Sequence, residues 1–145
     1  MTVSDRGYRP IEDYALLSNC HGCALVARDG TIDWACLERF DAPPAFSRLL
    51  DARRGGHFSI RPASDHESSR PYLPGTVVLE TTFTTPGGVL RLSDFMLAPG
   101  DGNPSLVRLV AGVSGVVEVE VTYRALNGFA ERFGALEISE RRATD

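Results

Sequence analysis

From Val77 onward the apolar positions recur every second residue. Val77, Leu79, Thr81 and Phe83 form one series while Glu80, Thr82 and Thr84 form the other. Val117, Val119, Val121 and Tyr123 alternate in the same way with Glu118, Glu120, Thr122 and Arg124. A period of two belongs to a strand with one face in water. Leu106 to Val113 is more evenly apolar, which predicts a strand covered on both faces. Val89 to Met96 and His57 to Arg61 complete the strand-like stretches of this half, and Pro62 to Pro71 reads as a polar loop. Pro86-Gly87-Gly88 and Ser114-Gly115 supply turns between strands.

The first half carries a stronger local signal. Gly22 to Phe46 reads GCALVARDGTIDWACLERFDAPPAF: two alternating runs around Asp29-Gly30, then a charged and aromatic corner. An Asp-Gly pair between such runs is a strong hairpin signal. A two-residue turn there sets Ala27 opposite Ile32, Leu25 opposite Trp34 and Cys23 opposite Cys36, all facing the core. The other face then carries Arg28, Val26 and Ala24 against Thr31, Asp33 and Ala35, with Arg28 diagonal to Asp33. Upstream, Ile11 to Leu17 is either an irregular strand or one turn of helix. Downstream, Asp41 before Pro43-Pro44 predicts a helix start, with a short helix near 43–50 that ends before Gly55-Gly56.

Short strands at regular spacing between Gly/Pro turns predict an all-β fold, an antiparallel β-sandwich. The organisation reads as a loose leader over 1–9, a β-sandwich over 10–125 and a divergent, weakly patterned tail over 126–145. One domain is the natural count for 145 residues. The net charge is −4 and no basic run occurs, so neither nucleic acid nor an anionic membrane is an expected partner. All 15 basic residues are arginine, which we read as compositional bias. The N-terminus lacks the apolar core of a signal peptide, and three cysteines form no paired framework. A cytoplasmic, reduced protein is expected.

Three separate motifs carry a family resemblance: Pro10-Ile11-Glu12-Asp13-Tyr14, the Gly22–Phe46 block, and Arg91-Leu92-Ser93-Asp94-Phe95-Met96. Together they resemble the N-terminal, trehalase-like domain of glycoside hydrolase family 15, the bacterial glucoamylase-like and trehalase-like α-glucosidases. The block keeps Asp29, Gly30, Ile32, Asp33, Trp34, Cys36, Leu37, Arg39, Phe40, Asp41, Pro43 and Phe46 of the family pattern. It departs at Ala35, Glu38 and Ala42. The resemblance implies a β-sandwich ahead of an (α/α)6 barrel, and inverting hydrolysis of α-linked glucosides such as trehalose or malto-oligosaccharides by the whole protein. The family's catalytic glutamates sit on the barrel, so this chain alone holds no catalytic residue and is expected to be an accessory domain. After Tyr123 the text leaves the family pattern, which reads as part of a domain only. Open sheet edges would favour a homodimer if nothing else covers them.

Glycoside hydrolysis needs two carboxyl groups flanking the scissile bond. Asp29, Asp33 and Asp41 have structural explanations in the turn, an ion pair and a cap. Trp34, Arg39, Phe40 and Asp41 are the substrate-proximal candidates, because aromatic, guanidinium and carboxylate groups stack on and hydrogen-bond a sugar. In the alternative, Trp34 is core and Arg39–Asp41 a local ion pair. Cys20-His21-Gly22-Cys23 is a lone CxxC without the second pair that structural zinc needs. No metal or cofactor is expected, and Cys23 and Cys36 read as neighbouring reduced core thiols, close enough to be oxidised to a disulfide. A free-standing sugar-binding or protein-interaction module is the alternative function.

Overall fold

The computed structural model describes residues 8–98 and 106–126. The expected leader lies mostly outside these residues, and the expected tail does so beyond Leu126. A 3-10 turn over Ile11–Asp13 leads directly into β1 (Tyr14–Ser18), so both readings of this stretch hold in sequence. There follow β2 (Cys23–Ala27), β3 (Thr31–Cys36), β4 (His57–Pro62), β5 (Glu67–Ser69), β6 (Leu79–Thr85), β7 (Gly88–Met96), β8 (Leu106–Gly115) and β9 (Val119–Arg124). They form two antiparallel sheets, β1-β2-β3-β4-β9 and β5-β6-β7-β8. The all-β expectation holds.

Alternate residues of each sheet meet between the layers. Ala15, Leu17, Ala24, Val26, Ile32 and Ala35 of the five-stranded sheet pack with Leu79, Met96 and Phe46. Ile60 packs with Phe83, Leu90 and Leu92 in a second cluster. A buried ion pair within the four-stranded sheet is tied to the opposite layer by further hydrogen bonds. Arg108 on β8 donates from Nε to Asp94 Oδ1 at 2.8 Å and from Nη2 to Asp94 Oδ2 at 3.1 Å. It also donates to the carbonyls of Phe58 and Gly30 on the opposite sheet and lies 4.7 Å from the Phe58 ring centroid. The side chains of Arg108 and Asp94 are 2% and 0% exposed. Burial pushes the Asp94 carboxyl up despite the attraction of Arg108.

The hairpin corrects the expected register at one end. Cys23 does oppose Cys36, and Leu25 opposes Trp34, but Val26 opposes Ile32. The turn is a three-residue Arg28-Asp29-Gly30 loop, closed by Gly30 N–H to Ala27 C=O at 3.0 Å with Gly30 at φ +79°. That loop advances the pairing by one residue, and Asp33 bulges out to restore it. A Cβ on Gly30 would lie 2.6 Å from the Ile60 carbonyl oxygen, so glycine is required twice over.

The core side of the hairpin is also reversed. Ala24, Val26, Ile32 and Ala35 point between the sheets, whereas Leu25, Trp34 and Cys23 are only half-buried on the outside. Small alanines let the sheets approach, and the bulge swings Ile32 to join them. Cys36 is buried, yet its cover is the Ala42 loop, whose carbonyl accepts from Sγ at 3.4 Å. Arg28 pairs with Asp13 at 2.9 Å instead of Asp33.

Two further expectations fail. No helix forms near 43–50: Phe46 bridges back to Ala35, and Leu49 N–H donates to the Asp33 carbonyl at 3.1 Å. The backbone groups a helix would use are spent on the edge of β3, and Pro43-Pro44 keep the entry extended. Nor is β8 covered on both faces. Among the described residues it pairs with β7 alone, and Leu109, Val110 and Val113 are exposed.

Candidate functional site: the outer face and corner of the five-stranded sheet

The corner after β3 is built by local hydrogen bonds. Ala42 N–H donates to the Arg39 carbonyl at 3.1 Å, tightening the turn so that Arg39 meets Asp41. Nε and Nη2 of Arg39 donate to the two Asp41 carboxylate oxygens at 2.8 and 2.7 Å, a bidentate pair in which both side chains are more than 70% exposed (72% and 71%). The Arg39 hydrogen bonds hold the Asp41 carboxyl below the usual carboxylate range. This replaces the capping role expected of Asp41. Phe40, between them, is exposed. Leu37–Glu38, Ala42–Ala45 and Leu126 line an adjoining cleft of about 310 Å³, at the small end of ligand-pocket sizes. Trp34 is half-buried on the outer face of the sheet, so it is not core between the layers. Arg39, Phe40 and Asp41 thus share one exposed corner, while Trp34 sits on the sheet face that leads to it.

Sequence reasoning missed a second cluster on this face, centred on the bulged Asp33. Tyr14 Oη donates to Asp33 Oδ2 at 2.7 Å, Arg9 Nε lies 3.3 Å from the same oxygen, and Arg48 Nη1 lies 3.7 Å from Oδ1. Arg9 also bonds Asp29 at 2.7 Å, whose other oxygen accepts from Thr31 N–H at 3.1 Å. Asp29 and Asp33 are both buried, and Asp33 Oδ1 has no hydrogen-bond donor. Burial opposes the Asp29 charge, but Arg9 and the Thr31 hydrogen bonds prevail and lower its carboxyl. Burial and the Asp33 hydrogen bond push the Tyr14 phenol well up. Burial, then the nearby Arg48, lower His57. No sequence signal marked this cluster, because the bulge that turns Asp33 to the same side as Tyr14 is a feature of the folded register.

Cys20-His21-Gly22-Cys23 is a tight turn. Asn19 Oδ1 accepts from the backbone N–H groups of His21 and Gly22 at 3.1 and 2.9 Å, and Cys20 adopts φ +69°. Cys20, Cys23 and Cys36 are all free thiols. Among the described residues no group of three or more His, Cys, Asp or Glu side chains is placed to hold a metal ion. Among them, too, no helix is long and apolar enough to cross a membrane.

The family model described as "Trehalase-like, N-terminal" matches residues 3–141. This chain belongs to that family. The trehalase-like domain is 34% identical to a trehalase of Mycolicibacterium smegmatis over an alignment of 131 positions, which takes in 77% of this chain and 20% of the relative. A trehalase of Thermoplasma volcanium is 33% identical over 128 positions, covering 84% of this chain and 20% of its own length. One from Thermoplasma acidophilum is 37% identical over 115 positions, with 74% and 20% covered. The chain therefore spans about a fifth of the curated relatives it matches. No solved structure matches it.

Proposed function

We propose that this chain is the non-catalytic N-terminal β-sandwich of a family 15-like α-glucosidase, packing on an (α/α)6 barrel and helping to shape its sugar site. The observation that carries the reading is membership of the trehalase-like N-terminal family, with relatives named as trehalases that extend far beyond the matched region. The barrel, in cis or in trans, supplies the acid and base that hydrolysis needs. The acids of this chain are suited to structure: Asp29, Asp33, Asp41 and Asp94 each face an arginine. Arg39, Phe40 and Asp41 form the edge offered to an α-glucoside such as trehalose, with Trp34 behind them. A fixed bidentate pair beside an exposed ring suits a polyhydroxylated ligand, since one side bonds hydroxyls and the other stacks on C–H faces. The enzyme works in the cytoplasm, without a cofactor held by this domain.

The test is glucose release from trehalose and maltose. The polypeptide that carries this domain together with its barrel should release glucose, and the 145-residue chain alone should not. A longer polypeptide that hydrolyses neither sugar would reject the reading.

A second reading, a free-standing sugar-binding or assembly module, is favoured by the edge strands β8 and β9. By register with Leu92, Ile60 and Phe58, Val110 on β8 and Val121 and Tyr123 on β9 sit on the inward sides of their sheets. They are nevertheless 46%, 61% and 40% exposed. Pairing of such edges between copies would give a homodimer. Sedimentation of the isolated chain as a dimer that binds trehalose would support it.

A further inference from the structure

We infer that the remainder of the polypeptide packs against the outer face of the five-stranded sheet, along the cross-strand line Leu16–Leu25–Trp34. This rests on the accessory-domain reading and deepens it by naming the surface.

The three residues are direct register partners on β1, β2 and β3. Their neighbours in sequence, Ala15, Leu17, Ala24, Val26 and Ala35, fill the core, so this line faces outward. Leu16 is 54% exposed, and Leu25 and Trp34 are only half-buried. An outer sheet face in a two-layer domain is normally polar where water is its only neighbour. The other sheet's outer face is mixed, with charged and hydroxyl side chains beside the apolar ones. Its outward lines run Glu80–Ser93–Leu109 and Thr82–Arg91–Ala111, with Arg91 and Glu80 paired at 3.6 Å.

The kind of occupant follows from where the line sits. β2 and β3 are paired on both sides, so no added strand can reach Leu25 or Trp34. Only another layer laid face-on can cover them, and the helical barrel proposed above offers such a layer, since a helix carries an apolar stripe that packs on a sheet face. The length available is large: about four-fifths of each trehalase relative lies outside the matched region. The same face also contains Asp33, whose buried Oδ1 lacks a donor. Such a deficit calls for a partner group, which an incoming polar side chain, or Arg48 drawn in from 3.7 Å, would provide.

Cysteine footprinting tests the assignment. Leu16→Cys and, on the opposite outer face, Leu109→Cys are each placed in the 145-residue chain and in the longer polypeptide, and thiol modification rates are read by peptide mass mapping, which separates them from Cys20, Cys23 and Cys36. Expected is at least a roughly tenfold slowing at position 16 in the longer polypeptide, with position 109 unchanged, since a site covered by a packed layer reacts only through local opening. Equal rates at position 16 in both lengths, or protection at position 109 alone, would overturn the inference while glucose release could still uphold the accessory-domain reading. A coding region with no downstream domain would remove the occupant and sink both.

Discussion

Replacing Arg108 with methionine should be among the most damaging single changes in this domain. The guanidinium donates to both oxygens of Asp94 and to two carbonyls of the other sheet, and it lies over the Phe58 ring. Methionine fills much of the volume but leaves a carboxyl of 0% exposure without its cation. Breaking a buried pair from one side costs about 3–5 kcal/mol. That is a large share of the ~5–15 kcal/mol holding a domain of this kind together. With a urea slope of about 1.5 kcal/mol/M, the unfolding midpoint should fall by roughly 2–3 M. The double variant Asp94→Leu/Arg108→Met removes the stranded charge and should recover about 2 kcal/mol of the loss, leaving the orphaned Phe58 and Gly30 carbonyls as the residual cost. The pH dependence has a definite sign. Burial already raises the Asp94 carboxyl, and loss of Arg108 removes the groups that lower it, so the variant's carboxyl is raised further; the variant therefore gains stability as pH falls from that folded value to 3.8, levels off below, and its deficit against the parent shrinks. The assay is a urea double-mutant cycle at neutral and acid pH. A single-variant cost under about 1 kcal/mol, or strict additivity of the two substitutions, would refute this account of how the sheets are joined.

Gly30→Ala should cost more than about 2 kcal/mol in the same assay, because left-handed backbone strain of ~1–2 kcal/mol adds to the clash with the Ile60 carbonyl; a neutral outcome would mean that the loop is not as described. Asp29, whose carboxyl is lowered from 3.8, lends stability that is complete above that pH and is lost as pH falls through the folded value. Asp29→Asn should therefore flatten the acid limb of the stability profile, measured by urea titration between pH 6 and pH 2. His57, lowered from 6.5, should remain neutral below that pH in an NMR titration; a midpoint at or above 6.5 would contradict its placement beside Arg48. Arg39→Ala should leave the unfolding midpoint unchanged, since the pair with Asp41 is solvent-exposed. In the full polypeptide it should raise KM for trehalose severalfold, and an unchanged KM would remove the corner from the sugar site.

Much of this domain was legible in one dimension. Sequence pattern placed β6, β7 and β9 to within two residues, because turn residues precede each strand and the chain then stays extended. The Asp-Gly signal found the hairpin and the Leu25–Trp34 and Cys23–Cys36 partners. The motifs pointed to a trehalase-like N-terminal domain, and the family match agrees. What alternation could not decide was which of two apolar faces turns inward, since the hairpin is apolar on both sides. Alanine at 15, 24 and 35 allows close approach of the second sheet, and that is a property of the partner layer as much as of the strand. Nor could local pattern reveal the bulge at Asp33, which exists only because a three-residue loop and a fixed far-end register must both be satisfied. That bulge gathers Arg9, Tyr14 and Arg48 around one buried carboxylate. Composition and spacing thus determined the class and most of the strands, and the three motifs carried the family resemblance. The packing of one sheet on the other determined which side of the Gly22–Phe46 block is core and which is left outward with Leu25 and Trp34, because burial is a relation between layers and no single strand encodes it.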